Sequence, residues 1–119
     1  MEREARLRAM YEAFNARDID AVLRQMSPKV DWPNAWEGGR VYGHEDVRDY
    51  WTRQWATIDP RVEPVTFATR PDGSIAVEVE QLIRDLDGAL IGEGSVLHVY
   101  VFEGELIARM DVEEILTTD

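Results

Sequence analysis

Apolar residues recur at helical spacing in the first half of the chain and at strand spacing in the second. Leu7, Met10, Tyr11 and Phe14 stand at i, i+3, i+4 and i+7, which predicts a helix ending near Asn15-Ala16-Arg17. Asp18 can accept a hydrogen bond from a free backbone N–H and so begin a second, short helix with an apolar face of Ile19, Val22, Leu23 and Met26. Ser27-Pro28 is expected to stop it, because proline disfavours helical geometry in the residue before it. Val30-Asp31-Trp32 reads as a short strand, and Pro33 through Gly39 holds too many turn formers for a regular element. A third helix starts around His44 to Asp46, buries Val47, Tyr50, Trp51, Trp55 and Ile58, and ends at Asp59-Pro60.

From Val62 the period becomes that of strands. Val62 to Thr69 forms one; Arg70-Pro71-Asp72-Gly73 turns the chain; Ile75, Val77 and Val79 alternate with Ala76, Glu78 and Glu80 in a strand reaching about Arg84. Asp85-Leu86-Asp87-Gly88 makes a second turn before a long strand through Val96 to Phe102. Glu103-Gly104 leads to a last strand from Glu105 to about Ile115. Helices first and antiparallel hairpins last give an α+β class, with helices covering one sheet face. In the long strand Val96, His98, Tyr100 and Phe102 share one face and Leu97, Val99 and Val101 the other. Both faces are mostly apolar, and a chain of 119 residues has no spare helices for the second one. Packing against a second copy of the sheet predicts a homodimer through the outer face; a strongly curved sheet that covers itself is the alternative. In the last strand Leu106, Ala108, Met110, Val112 and Glu114 are expected to point inward, and Ile107, Arg109, Asp111 and Glu113 outward.

Composition narrows the function. The chain is 45% hydrophobic and carries a net charge of −11, so it is a folded domain and a poor ligand for nucleic acid or anionic lipid. It has no cysteine, which removes disulfides, thiol nucleophiles and thiolate metal sites. No apolar run approaches a membrane span, and the opening Met1-Glu2-Arg3-Glu4 lacks a signal-peptide core. The expectation is one soluble, cytoplasmic domain over residues 1–119. Two widely separated histidines, His44 and His98, match no metal-ligand spacing, and no metal or cofactor is expected. His44, among Glu45, Asp46 and Asp49, reads as a cap or a surface group.

The order of three motifs is similar to one superfamily. Tyr11 through Val22 resembles the opening helices of nuclear transport factor 2-like proteins. Gly39-Arg40-Val41-Tyr42-Gly43-His44-Glu45-Asp46-Val47 resembles their G-x-x-x-G-x-[ED]-x-[IV] entry to the third helix, and Phe102-Glu103-Gly104-Glu105-Leu106-Ile107 their final hairpin. Within the superfamily the chain looks closest to the SnoaL-like polyketide cyclase and ketosteroid isomerase branch. That resemblance implies a conical α+β barrel, with three helices wrapped by a curved sheet around an apolar pocket, and commonly a dimer. Ketosteroid isomerase uses a general-base Asp, a protonated Asp and a tyrosine as its site groups. Matched residue by residue, Asn34 stands at the base, His98 at the protonated acid and Tyr11 at the tyrosine. Both carboxylates are missing, so steroid isomerisation is not implied. SnoaL-like cyclases often carry a carboxylate near the end of the last strand, where this chain has Glu114.

A pocket in such a fold is walled by Trp32, Trp36, Trp51, Trp55, Val79, Tyr100 and Met110, with Val77 and Gln81 beside them. Flat rings suit a planar hydrophobic small molecule; Trp51 and Trp55 equally suit a filled core. His98 is the candidate proton carrier, since its reference pKa lies near neutrality. Tyr100 follows it on the same face, roughly 6.5–7 Å along the strand, a span that fits an enone or ketone. Asn34 and Tyr11 can orient the oxygen. Glu114 either pairs with the imidazole or lies solvated past the buried stretch. The residues support cofactor-free acid/base chemistry on a hydrophobic, carbonyl-bearing metabolite (an isomerase, cyclase, dehydratase or hydrolase type). The alternative is a non-catalytic ligand-binding or dimerisation module.

Overall fold

A computed structural model describes residues 2–115. The first apolar stripe folds as α1 (Arg3–Asn15), which buries Leu7, Met10 and Tyr11. Asp18 starts α2 (Ile19–Leu23), its carboxylate accepting the Ala21 N–H at 3.2 Å. The second helix is shorter than its apolar spacing suggests. Met26, Ser27 and Pro28 belong to strand β1 (Met26–Pro33), not to a helix and its stop. Met26 pairs in parallel with the last strand, and the irregular register between Met26 and Asp31 accommodates the proline.

A three-residue strand, β2 (Arg40–Tyr42), returns along β1 before α3 (Gly43–Trp55). Gly43 enters that helix at φ +82°, and a Cβ there would stand 3.2 Å from the Pro28 carbonyl oxygen, so glycine fits both the dihedral and the close approach. His44 is neither free nor decorative: its Nε2 is 2.9 Å from the Met26 carbonyl and ties the helix start to β1. The third helix ends at Trp55, and Ile58, Asp59 and Pro60 open strand β3 (Ile58–Thr69). Two prolines within β3 are tolerable because it is the sheet's edge. Asn15 covers that edge, donating to the Val62 carbonyl at 2.7 Å and accepting the Val62 N–H at 2.9 Å.

β4 (Ile75–Asp85), β5 (Leu90–Glu103) and β6 (Leu106–Glu114) complete six strands in the order β2-β1-β6-β5-β4-β3, antiparallel except for β1 against β6. The helices pack inside the curve of this α+β sheet. One register shift changes the expected faces of β6. Val101 pairs with Arg109 and Phe102 with Ile107, so Ala108 is an extra, bulged residue. Ile107 therefore turns inward and is fully buried, while Met110 still faces in opposite Tyr100. On the outer face Val99 is buried, Leu97 half-buried and Val101 43% exposed. Arg70, from the β3–β4 turn, spans β4 and β5 to reach Glu113 through two 3.0 Å bonds. Arg40 joins Asp31 to Asp111 beside it, and Arg109 bonds the same two carboxylates at 2.7 and 2.8 Å. That face is a charged lattice around a narrow apolar strip. Among the described residues, no helix is long and apolar enough to cross a membrane.

Candidate functional site

Between the helices and the concave sheet face lies a cavity of about 290 Å³. Its walls are Phe14, Val22, Trp32, Trp51 and Met110, and its open side carries Trp36 and Val112, both more than 40% exposed. The polar groups on the wall are few: Tyr11, His98 and Tyr100 on one flank, Tyr50 and Gln54 on α3, Gln81 on β4 and Arg61 on the edge strand β3. Among the described residues, no aspartate or glutamate lines it.

The flank from α1 and β5 is a hydrogen-bonded chain. Tyr11 Oη is 2.8 Å from His98 Nδ1 and 2.6 Å from Tyr100 Oη. Strand pleating aims His98 and Tyr100 at the same side, and α1 drops the Tyr11 hydroxyl between them. Burial moves all three groups toward neutrality. His98 is lowered to about 4 by desolvation. Tyr11 is raised well above the phenol range, first by burial and then by the adjacent Tyr100, and Tyr100 is raised by burial.

Satisfaction of these groups sets the direction of the chain. Tyr100 is fully buried and Tyr11 is the one hydrogen-bond partner of its hydroxyl among the described residues. A buried O–H left without an acceptor costs about 1–3 kcal/mol, so Tyr100 donates to Tyr11. Tyr11 then has its own proton to give, and gives it to His98 Nδ1. The imidazole proton is left on Nε2, which has no protein partner among the described residues and belongs to a ring on the cavity wall. The site thus presents a neutral N–H donor, backed by two hydroxyls.

Other residues expected at the site fall into two groups. Trp32, Trp36, Trp51, Tyr100 and Met110 line the cavity. Asn34, Glu114, Trp55 and Val79 do not. Asn34 is buried, but it holds a loop: its side chain donates to Glu37 Oε1 at 2.9 Å and accepts the Glu37 N–H at 2.7 Å. Its backbone bonds Gly38 and Gly39, which adopt φ of +93° and +77°. Arg53 grips Glu37 through bonds of 2.9 and 2.7 Å, and with Asn34 it lowers that carboxyl to about 2. The loop presents Trp36 to the cavity, with the Trp36 N–H donating to Tyr50 Oη at 3.3 Å. Glu114 pairs in register with Val96 at the end of β6 but is exposed and makes no hydrogen bond to His98. Trp55 stacks on Trp51 at 5.9 Å and lies under the Arg17 guanidinium at 5.1 Å. Val79 is fully buried core.

Gln54 was legible in the pattern but is not in the expected set. It follows Tyr50 by four positions and Trp51 by three, which places a polar residue on the apolar face of α3. Among the described residues no group of three or more histidine, aspartate or glutamate side chains converges as a metal site.

A family model described as SnoaL-like domain matches residues 7–110. No curated protein matches the chain. Among solved structures, a nuclear transport factor 2-like protein of unknown function from Burkholderia pseudomallei is 24% identical with a TM-score of 0.82, covering 97% of this chain and 92% of its own. TerC, co-crystallised with polyporic acid, is 21% identical with a TM-score of 0.82, over 95% and 91%. A Mycobacterium tuberculosis protein in complex with estradiol-17beta-hemisuccinate is 18% identical with a TM-score of 0.76, over 91% and 89%. At these identities the structures share the fold.

Proposed function

The chain belongs to the SnoaL-like domain family, and on that premise we propose that it binds a planar, apolar, carbonyl-bearing small molecule and polarises its carbonyl with His98. The observation that carries this reading is the Tyr100–Tyr11–His98 chain ending at an aromatic-walled cavity. Aromatic walls supply stacking surface, and an N–H donor set among them fixes a ligand acceptor. Two solved relatives of this fold hold ring-bearing ligands, polyporic acid and an estradiol ester, which supports a pocket of this use.

The chemistry follows from the proton inventory. As charge grows on a substrate carbonyl oxygen during enolisation or ring closure, the Nε2–H bond to it strengthens. Tyr11 and Tyr100 support the imidazole from behind, so that the donor acts without becoming an imidazolium. The sequence alone suggests a proton carrier switching near neutrality; burial makes His98 a neutral electrophile instead, with its switch near pH 4. Isomerase and cyclase chemistry of cofactor-free type fits such a site, with the acidic carbon's proton leaving to water or to a substrate base.

That no carboxylate among the described residues lines the cavity favours a second reading, a carrier that binds without turnover. One experiment separates the two. The carbonyl stretch of bound 1-tetralone is compared on the wild type and on His98→Phe, and deuterium incorporation at its C2 is followed by NMR. A lowered stretch with faster exchange supports the enzyme; a lowered stretch with solvent-rate exchange supports the carrier. An unshifted stretch on the wild type overturns the His98 assignment. The proposal includes a homodimer through the outer sheet strip of Leu97, Val99 and Val101, checked by sedimentation equilibrium, where a monomer at micromolar concentration rejects it.

A further inference from the structure

The strand that carries His98 continues past the cavity as bare backbone. The inward positions of β5 run Gly92, Gly94, Val96, His98 and Tyr100, since side chains alternate and the pairing with β4 is unbroken from Tyr100 opposite Ile75 to Gly92 opposite Ile83. Gly94 shares a cross-strand row with Gln81 and Val62, and Gly92 shares the next with Ile83 and Pro60. Those four partners line the cavity, as Val96 does, so the cavity reaches both rows and meets no β5 side chain in either.

Glycine weakens a strand interior, and its presence there has a reason. Gly92 has a local one, because the register slips beside it, between Ile83 and Arg84. Gly94 has none. It does not adopt positive φ, and its pairing with Gln81 is flanked by regular pairs on both sides. A Cβ built on it meets no atom within 4 Å among the described residues, and the position is exposed. Neither the backbone nor the surrounding packing asks for a missing side chain, whereas a ligand lying close to the strand does.

We infer that Gly94, with Gly92 beyond it, determines the length of ligand the site takes, as a bare shelf for the end remote from His98. Four positions separate Gly94 from His98, roughly 13 Å along an extended strand. A bicyclic ketone held at His98 is shorter than that span. A longer flat ketone reaches the shelf and lays an apolar face on the peptide planes, where a side chain would stand in its way. This rests on the reading of the cavity as a carbonyl-ligand site.

The test is calorimetric titration of the full-length protein with 1-tetralone and with its 6-phenyl and 7-phenyl derivatives. One phenyl isomer is expected to bind roughly ten-fold more tightly than the parent, through the apolar area its added ring buries. In Gly94→Val that advantage is expected to fall to about two-fold or less, because the branched side chain fills the shelf, while 1-tetralone binds as before. Valine suits a strand better than glycine does, which favours folding of the variant. Gly94→Ala is expected to keep an intermediate advantage and serves as the probe if the valine variant does not fold. Ser95→Val places the same side chain on the opposite face of β5 and is expected to keep the full advantage. Equal affinities for the three compounds on the wild type overturn the shelf and leave the His98 reading standing. So does an advantage that survives Gly94→Val, or one that Ser95→Val removes equally. Failure of every compound to bind overturns the cavity reading and this inference with it.

Discussion

The Tyr11 hydroxyl stands 2.8 Å from His98 Nδ1, although 87 positions separate the two residues. The same oxygen is 2.6 Å from the Tyr100 hydroxyl. Removing it leaves the Tyr100 donor and the His98 acceptor orphaned at once. Tyr11→Phe is therefore expected to destabilise the fold by about 2–4 kcal/mol and Tyr100→Phe by about 1 kcal/mol. The double variant is expected to cost less than the sum, since Tyr100→Phe removes one of the two groups that Tyr11→Phe strands. Urea unfolding of the three proteins measures this; strict additivity rejects the shared-hydroxyl arrangement.

Burial of His98 makes stability depend on pH within a defined window. Folding lowers the imidazole from about 6.5 to about 4, so between those values the unfolded chain holds a proton that the folded chain does not. The stabilisation is fully present above about pH 6.5 and is lost as pH falls toward 4. By the usual conversion its size is about 3 kcal/mol. His98→Gln, which keeps an uncharged acceptor, is expected to flatten the difference in unfolding free energy between pH 7 and pH 4.5. An unchanged slope in the variant would show that the imidazole titrates normally in the folded protein.

Asn34 works through a loop and not on a ligand. Asn34→Ala breaks the two side-chain bonds with Glu37 and is expected to cost about 1–3 kcal/mol. It should also release Trp36 from the cavity mouth, weakening ligand binding while leaving the carbonyl stretch of whatever ligand remains bound where it was. A shift in that stretch, with stability intact, is the outcome that gives Asn34 a direct contact.

Trp36 and Trp55 are expected to part company under the same substitution. Trp36 lines the cavity and is 45% exposed, so Trp36→Ala should lower ligand affinity about five-fold with a stability change within about 0.5 kcal/mol. Trp55 packs on Phe14 and Trp51 away from the cavity. Trp55→Ala should cost about 2–3 kcal/mol of stability and leave affinity unchanged in the folded fraction. Paired calorimetry and thermal unfolding check both. A reversed pattern means the mouth lies elsewhere.

Element type and order were legible in the chain because they depend on local period. The stripe from Leu7 to Phe14 and the alternation around His98 each need only a few neighbouring residues to be read. Boundaries were less so, wherever a long-range pairing captured residues that local rules assign elsewhere. Met26 and Ile58 continue the apolar spacing of a helix, yet sheet partners draw both into strands. Ile107 faces the core because one bulged residue, Ala108, reverses the parity of β6, and parity is invisible in composition.

For the site, the sequence determined which residues share a strand face, and so put His98 and Tyr100 on one wall, since side chains alternate whatever surrounds them. It also determined the aromatic character of the candidate pocket residues. Distance along the third dimension belonged to the tertiary structure alone. Only packing could bring Tyr11 between His98 and Tyr100, strip water from the imidazole and leave its proton on Nε2. Only packing could turn Asn34 into a loop anchor and carry Glu114 past the cavity. A proton's position and a group's solvation are set by neighbours far apart in the chain, and those neighbours exist only once it has folded.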